Sequence, residues 1–80
     1  MISYPDTLTV INSLGESKTL PLCRIENAKT IFTKSADVII HIGDKISKRY
    51  EDGFEEFYLV LAVNNKVNLV GSREISIKSI

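Results

Sequence analysis

Residues 45–63 read KISKRYEDGFEEFYLVLAV. Two β-prone stretches, Lys45–Tyr50 and Glu55–Val63, flank the pair Asp52-Gly53. Asp-Gly supplies the positive φ that a tight hairpin turn demands, and it is the strongest short-range hairpin signal in the chain. A two-residue mirrored turn there sets Glu51 against Phe54, Tyr50 against Glu55, Arg49 against Glu56, Lys48 against Phe57, Ser47 against Tyr58 and Ile46 against Leu59. Residues two apart share a face of a strand. This register gathers Ile46, Lys48, Tyr50, Phe57, Leu59, Leu61 and Val63 on one face. Ser47, Arg49, Glu56, Tyr58, Val60 and Ala62 fall on the other. The face built on Ile46, Phe57, Leu59, Leu61 and Val63 is expected to point inward, with Arg49 and Glu56 forming a cross-strand ion pair.

The rest of the chain extends the same pattern. Thr7–Ile11 alternates Leu8 and Val10 with Thr7, Thr9 and Ile11, and Gly15 marks a turn after it. Lys18–Glu26 reads as a second strand, with Leu20, Leu22 and Arg24 on one face and Thr19, Cys23 and Ile25 on the other. Pro21 cannot donate to a ladder, so this strand lies at an edge or carries a bulge there. Ala28–Ala36 has partial helical spacing, but Thr30-Ile31-Phe32-Thr33 is β-branched or aromatic at every position and lacks helix caps, so a strand is expected. Asp37–Ile42 is apolar at nearly every position, as in a strand covered on both faces or one entering a turn. Gly43-Asp44 and Asn64-Asn65 are turn signals, Lys66–Val70 a short strand, and Glu74–Ile80 a closing strand that presents Ile75 and Ile77 on one face and Ile80 on the other.

Composition agrees. Ile, Val and Thr supply 22 of the 80 residues, Ala only three, and Gln is absent. β-branched side chains lose rotamer freedom in helices and pack well on pleated surfaces. The expected fold is all-β: one domain over residues 1–80, a small partly open barrel or compact sandwich of six to eight short strands, with residues 1–6 as an extended arm.

Several classes of function are disfavoured by what is missing. Ten basic residues balance ten acidic ones, whereas a sequence-independent nucleic-acid binder gains its affinity from a basic surplus. No apolar run approaches the roughly 20 residues of a membrane span. The first residues lack a basic segment followed by an apolar one, so no leader is expected and the location read from the sequence is the cytoplasm. Cys23 is the only cysteine and His41 the only histidine. A metal site needs more ligands than these two, and nothing in their spacing pairs them as nucleophile and base. Asp44, Glu51, Asp52, Glu55 and Glu56 crowd one hairpin without the spacing of a calcium loop, which suggests a solvated acidic tip. No phosphate-binding glycine loop and no hydrolase motif occurs. No catalytic, cofactor or metal residue is therefore assigned, and the expectation is a non-enzyme without cofactors.

What remains is contact with other molecules. Phe54 follows the turn directly, where burial is least expected; it either meets another chain or folds back over the barrel mouth. Arg49, Tyr50, Phe54 and Tyr58 are the candidate interaction residues. A small barrel with aromatics beside basic residues (Lys45, Lys48, Arg49, Tyr50, Tyr58) can also bind single-stranded nucleic acid, the alternative reading. A domain this small gains stability by self-association, so a homo-oligomer is a sensible expectation.

Gly43-Asp44-Lys45-Ile46, followed by Arg49, Asp52-Gly53, Glu56, Tyr58 and Val60, resembles a strand–turn–strand module of small uncharacterised bacteriophage and mobile-element proteins. The likeness spans residues 43–60, with Glu51-Asp52-Gly53 where that module often has Pro-Asn-Gly. It carries over no activity and no site. It implies a phage-related β protein, a structural or accessory component that would reside in the virion.

Overall fold

The computed structural model describes residues 3–64, 66 and 71–80. These contain six strands: β1 (Asp6–Ile11), β2 (Ser17–Glu26), β3 (Thr30–Thr33), β4 (Lys45–Arg49), β5 (Glu55–Asn64) and β6 (Arg73–Ser79). Every pairing is antiparallel, and the order β1-β2-β3-β6-β5-β4 closes into a barrel through the β1–β4 ladder. The all-β barrel expected from composition is what forms, and it is closed. The expected strand at Lys66–Val70 lies outside the described residues, apart from Lys66, which is not in a strand.

Two three-stranded meanders, β1-β2-β3 and β4-β5-β6, make up the wall. Their first and third turns share one design. In the first, Asn12 N–H donates to the Glu16 carbonyl at 2.9 Å and Gly15 N–H to the Asn12 carbonyl at 3.0 Å. In the other, Tyr50 N–H donates to the Phe54 carbonyl at 2.8 Å and Gly53 N–H to the Tyr50 carbonyl at 3.0 Å. Each is a three-residue loop ending in a glycine with positive φ, 81° at Gly15 and 88° at Gly53.

The loop at Gly53 corrects the register expected from a two-residue turn. Asp52 does not take positive φ, so one more residue enters the loop and the pairing slips by one. Lys45 now faces Leu59, Ile46 faces Tyr58, Ser47 faces Phe57, Lys48 faces Glu56 and Arg49 faces Glu55. A slip of one turns every side chain to the opposite face. Tyr58 and Val60 point into the barrel beside Ile46, at 3%, 1% and 0% exposure. Phe57 and Leu61, expected inside, are exposed, and Leu59 is half-buried. The ion pair forms between Arg49 and Glu55, at 2.8 Å, rather than with Glu56. A bulge between Val60 and Ala62 then restores Val63 to the interior, where it packs against the core.

Strand β2 has its own irregularity. The register shifts between its pairings with Asp6 and Leu8, and Leu22 adopts φ 56°. The bulge lies where Pro21 made one plausible. It also corrects the expected faces: Leu20 and Cys23 are both fully buried, while Leu22 is exposed. Mirrored φ values do occur in one turn, at Asn27 (56°) and Ala28 (55°) between β2 and β3, where Lys29 N–H donates to the Glu26 carbonyl at 3.1 Å.

Residues 34–44 link the meanders across one end of the barrel. The expected strand at Asp37–Ile42 does not form; this segment is irregular. Only Ile40 enters the core, with Val38 packed against it, while Ile39 and Ile42 face outward. Only the ends of the crossing continue the ladder, Lys34 N–H donating to the Leu22 carbonyl at 3.1 Å and Gly43 N–H to the Val60 carbonyl at 2.9 Å, so the polar groups between them need other partners. Arg73, at the start of β6 and 5% exposed, supplies them. Its Nε and Nη2 donate to the Ser35 carbonyl at 3.0 and 2.6 Å, and Nη2 also to the Val38 carbonyl at 3.0 Å. At the far end of the crossing the buried Asp44 carboxylate accepts the His41 N–H at 2.9 Å.

Two measurements follow from this framework. Ala28→Gly removes the steric cost of a left-handed alanine and is expected to raise stability by about 1 kcal/mol in urea denaturation; an unchanged midpoint would mean that the turn is not mirrored. Arg73→Met leaves two buried carbonyls without their charged donor and is expected to lower stability by about 3 kcal/mol. Hydrogen exchange should then quicken first in residues 34–44; a loss spread evenly over the barrel would contradict the crossing's dependence on Arg73.

Candidate functional site

The hairpin tip was the region singled out by sequence. There the Tyr50 and Phe54 rings stack with centroids 5.8 Å apart and planes at 26°. Phe54 is 60% exposed, so it pairs with Tyr50 on the outside of the tip instead of plugging the barrel. Asp52 Oδ1 accepts the Phe54 N–H at 3.0 Å, which holds the tip in shape. The Lys48 ammonium sits 4.8 Å from the Tyr50 ring centroid and pairs with Asp6 at 3.5 Å. The Tyr50 hydroxyl donates to the Glu56 carboxylate, and that hydrogen bond raises its phenol above the ordinary range. An open depression of about 560 Å³ is lined by Asp6, Lys48, Arg49, Tyr50, Glu51 and Asp52. Both of its cations are matched by acids, Lys48 by Asp6 and Arg49 by Glu55, and two further carboxylates, Glu51 and Asp52, line it.

Of the four residues singled out, the structure therefore brings Tyr50 and Phe54 together. Arg49 lines the same depression as Tyr50 but is taken up by Glu55. Tyr58 is not available for contact: the register slip buries it, and burial, with Glu56 next, pushes its phenol up.

Cys23 and His41 sit in different settings. Cys23 lies fully buried beside the β2 bulge, its thiol donating to the Leu20 carbonyl at 3.2 Å, and burial pushes it up to about 11. His41 is exposed in the turn that ends the crossing. Among the described residues no three His, Cys, Asp or Glu side chains gather into a metal-ligand set.

A second exposed feature is the outer face of β5. Phe57 and Leu61 are 39% and 45% exposed, with half-buried Leu59 between them. Ile80 continues the surface, its N–H donating to the Phe57 carbonyl at 3.1 Å. Ile11, Lys45, Phe57 and Ile80 line a shallow groove of about 420 Å³. On the opposite wall Leu22 is exposed, but the sheet around Phe32 is covered. There Tyr4 donates to Ser72 Oγ at 3.2 Å, and the Arg24 guanidinium lies 4.4 Å from the Phe32 centroid and 5.9 Å from that of Tyr4. Sequence reasoning missed the β5 surface because it turned Phe57 and Leu61 inward. The signal was present in Phe57–Val63, seven apolar residues in a row, in a strand that a single-walled barrel can cover on one face only.

Comparison with known proteins finds no family model, no curated protein and no solved structure that matches this chain. No helix of the described residues is long and apolar enough to cross a membrane, which leaves strands unaddressed.

The buried thiol gives the barrel a pH dependence with a definite sign. The Cys23 value is raised from 9.0 to about 11 in the folded state. Its contribution to stability is therefore complete below pH 9 and is lost as the pH climbs toward 11, where the unfolded chain gives up the proton first. Cys23→Ala should lessen the fall in urea midpoint from pH 9 upward, leaving the decline from Tyr50 and Tyr58, which sets in around their ordinary value of 10.0. An unaltered profile in the variant would show that the thiol is not the group responsible.

Proposed function

We propose that this chain is a non-enzymatic protein–protein interaction or assembly module whose contact surface is the outer face of β5. The observation that supports this reading is the run of Phe57, Leu59 and Leu61 on the outside of a closed barrel, extended by Ile11 and Ile80. A strand with apolar side chains on both faces belongs where both faces are covered, and apolar patches with a polar surround mark interaction sites. The hairpin's resemblance to phage and mobile-element modules extends the proposal to an accessory or structural role in such an element, and a gene position beside capsid or tail genes would support it.

A second reading rests on the Tyr50–Phe54 stack, whose exposed rings could receive unpaired bases. The surrounding carboxylates of Asp6, Glu51, Asp52 and Glu56 oppose a phosphate backbone, so the β5 face is preferred.

A photo-crosslinking residue placed at position 57 or 80, with position 29 as an exposed control, tests the proposal in the cells that make the protein. Protein adducts, with itself or another chain, are expected from 57 and 80 and not from 29. Equal labelling from all three positions, or none from any, would sink the β5 surface. Tight, salt-sensitive binding of an oligothymidylate that Phe54→Ser abolishes would favour the second reading instead.

A further inference from the structure

The β5 face has a charge pattern that narrows what can cover it. Lys45 on β4 and Lys78 on β6 are both in register with Leu59. One cation therefore stands on each side of the apolar strip at its midpoint. Among the described residues neither makes an ion pair, and neither do Lys18, Lys29 and Lys34; what sets Lys45 and Lys78 apart is their place on either side of the apolar strip. A partner that fits must place apolar side chains along the strip and acids on both sides of it.

Shape narrows the choice further. A closed barrel offers no free strand edge, so the partner cannot bind by adding a strand to the sheet. It must pack on the face. Neighbouring strands are about 4.8 Å apart, which sets Lys45 and Lys78 roughly 10 Å from one another across β5. That span matches the width of an α-helix with its side chains, roughly 10–12 Å. The strip from Phe57 to Leu61 is roughly 13 Å long, the rise of about nine helical residues. A second copy of the barrel fits less well, since a two-fold axis through the strip would crowd Lys45 and Lys78 against their own equivalents. The described residues contain no helix that could serve from within the chain.

We propose that the partner segment is an amphipathic α-helix with acidic flanks, lying along β5 with its apolar stripe on Phe57, Leu59 and Leu61 and its carboxylates toward Lys45 and Lys78. This rests on the interaction reading above and specifies its partner. The groove beside Phe57 and Ile80 takes the bulkiest apolar anchor of the helix, and the two lysines fix its position across the strip.

Two stapled synthetic helices of about 14 residues, sharing one Leu/Phe stripe but flanked by Glu in one and Lys in the other, serve as probes. Fluorescence anisotropy with the full chain is expected to show the Glu-flanked helix binding at least about tenfold more tightly, with the difference shrinking as salt rises. In a Lys45→Glu/Lys78→Glu variant, shown by its circular-dichroism melt to be folded, the preference should invert. Equal affinity for both helices, or no binding of either at roughly 1 mM, would overturn the acidic helix. Crosslinks from position 57 that reach only a second copy of the chain would overturn it too, while leaving the interaction surface standing. The absence of any crosslink from that position would remove the surface itself.

Discussion

Gly53, at φ 88°, ends a three-residue loop whose closing pair is Tyr50 and Phe54. That geometry sets which residue of β5 meets which residue of β4, and through them the face that each side chain occupies. Because side chains alternate with a period of two, the choice is binary. One outcome puts Tyr58 and Val60 inside; the other would have put Phe57, Leu59 and Leu61 there. Asp52 reinforces the observed outcome by accepting the Phe54 N–H, which stabilises a turn in which glycine alone is left-handed. The composition of the core and the character of the outer wall both descend from this one loop.

The crossing segment is the second constraint, and it is electrostatic. Eleven residues pass over the barrel end, and only the two ends bond by backbone to strands, Lys34 to Leu22 and Gly43 and Asp44 to Val60. A buried arginine is costly unless its donors are used. Arg73 meets that condition by giving three hydrogen bonds to carbonyls that would otherwise be stranded. The same contact lets Ile40 close the core from above. The Cys23 bulge nearby is tied in by Thr33, whose hydroxyl donates to the Pro21 carbonyl at 3.1 Å and accepts the Ser35 N–H at 3.1 Å. Bulge, crossing and barrel end thus form one connected hydrogen-bonded region.

The exterior is uneven as a consequence. On the β2–β3 wall, Tyr4, Arg24 and Phe32 stack over one another and shield the sheet. On the β5 wall nothing in the described chain does so, and the apolar strip stands between two unpaired lysines. The stacked aromatics at the hairpin tip are conspicuous in sequence, yet their charges are internally balanced. The β5 wall has both apolar area and unused charge, which is why it, and not the tip, carries the functional proposal.

The all-β class was legible in the 22 β-branched residues, and so were the turns at Gly15, Gly43 and Gly53, the bulge at Pro21 and the alternation in β1 and β6. Each of these is a local property of backbone sterics or of strict alternation, which a sequence displays directly. The register of β4 against β5 was not legible, because Phe57–Val63 is apolar at odd and even positions alike and both registers bury hydrophobic side chains. Nor was the fate of Asp37–Ile42, whose apolar run suits a covered strand equally well until the barrel closes without it. Tertiary structure decided both: the loop at Gly53 selected one of two near-equivalent faces, and closure of β1 on β4 left the middle of the crossing no edge to pair with. The exposed apolar face of β5 followed from the first of those decisions, since a side chain's exposure depends on what closes around it and not on its own identity.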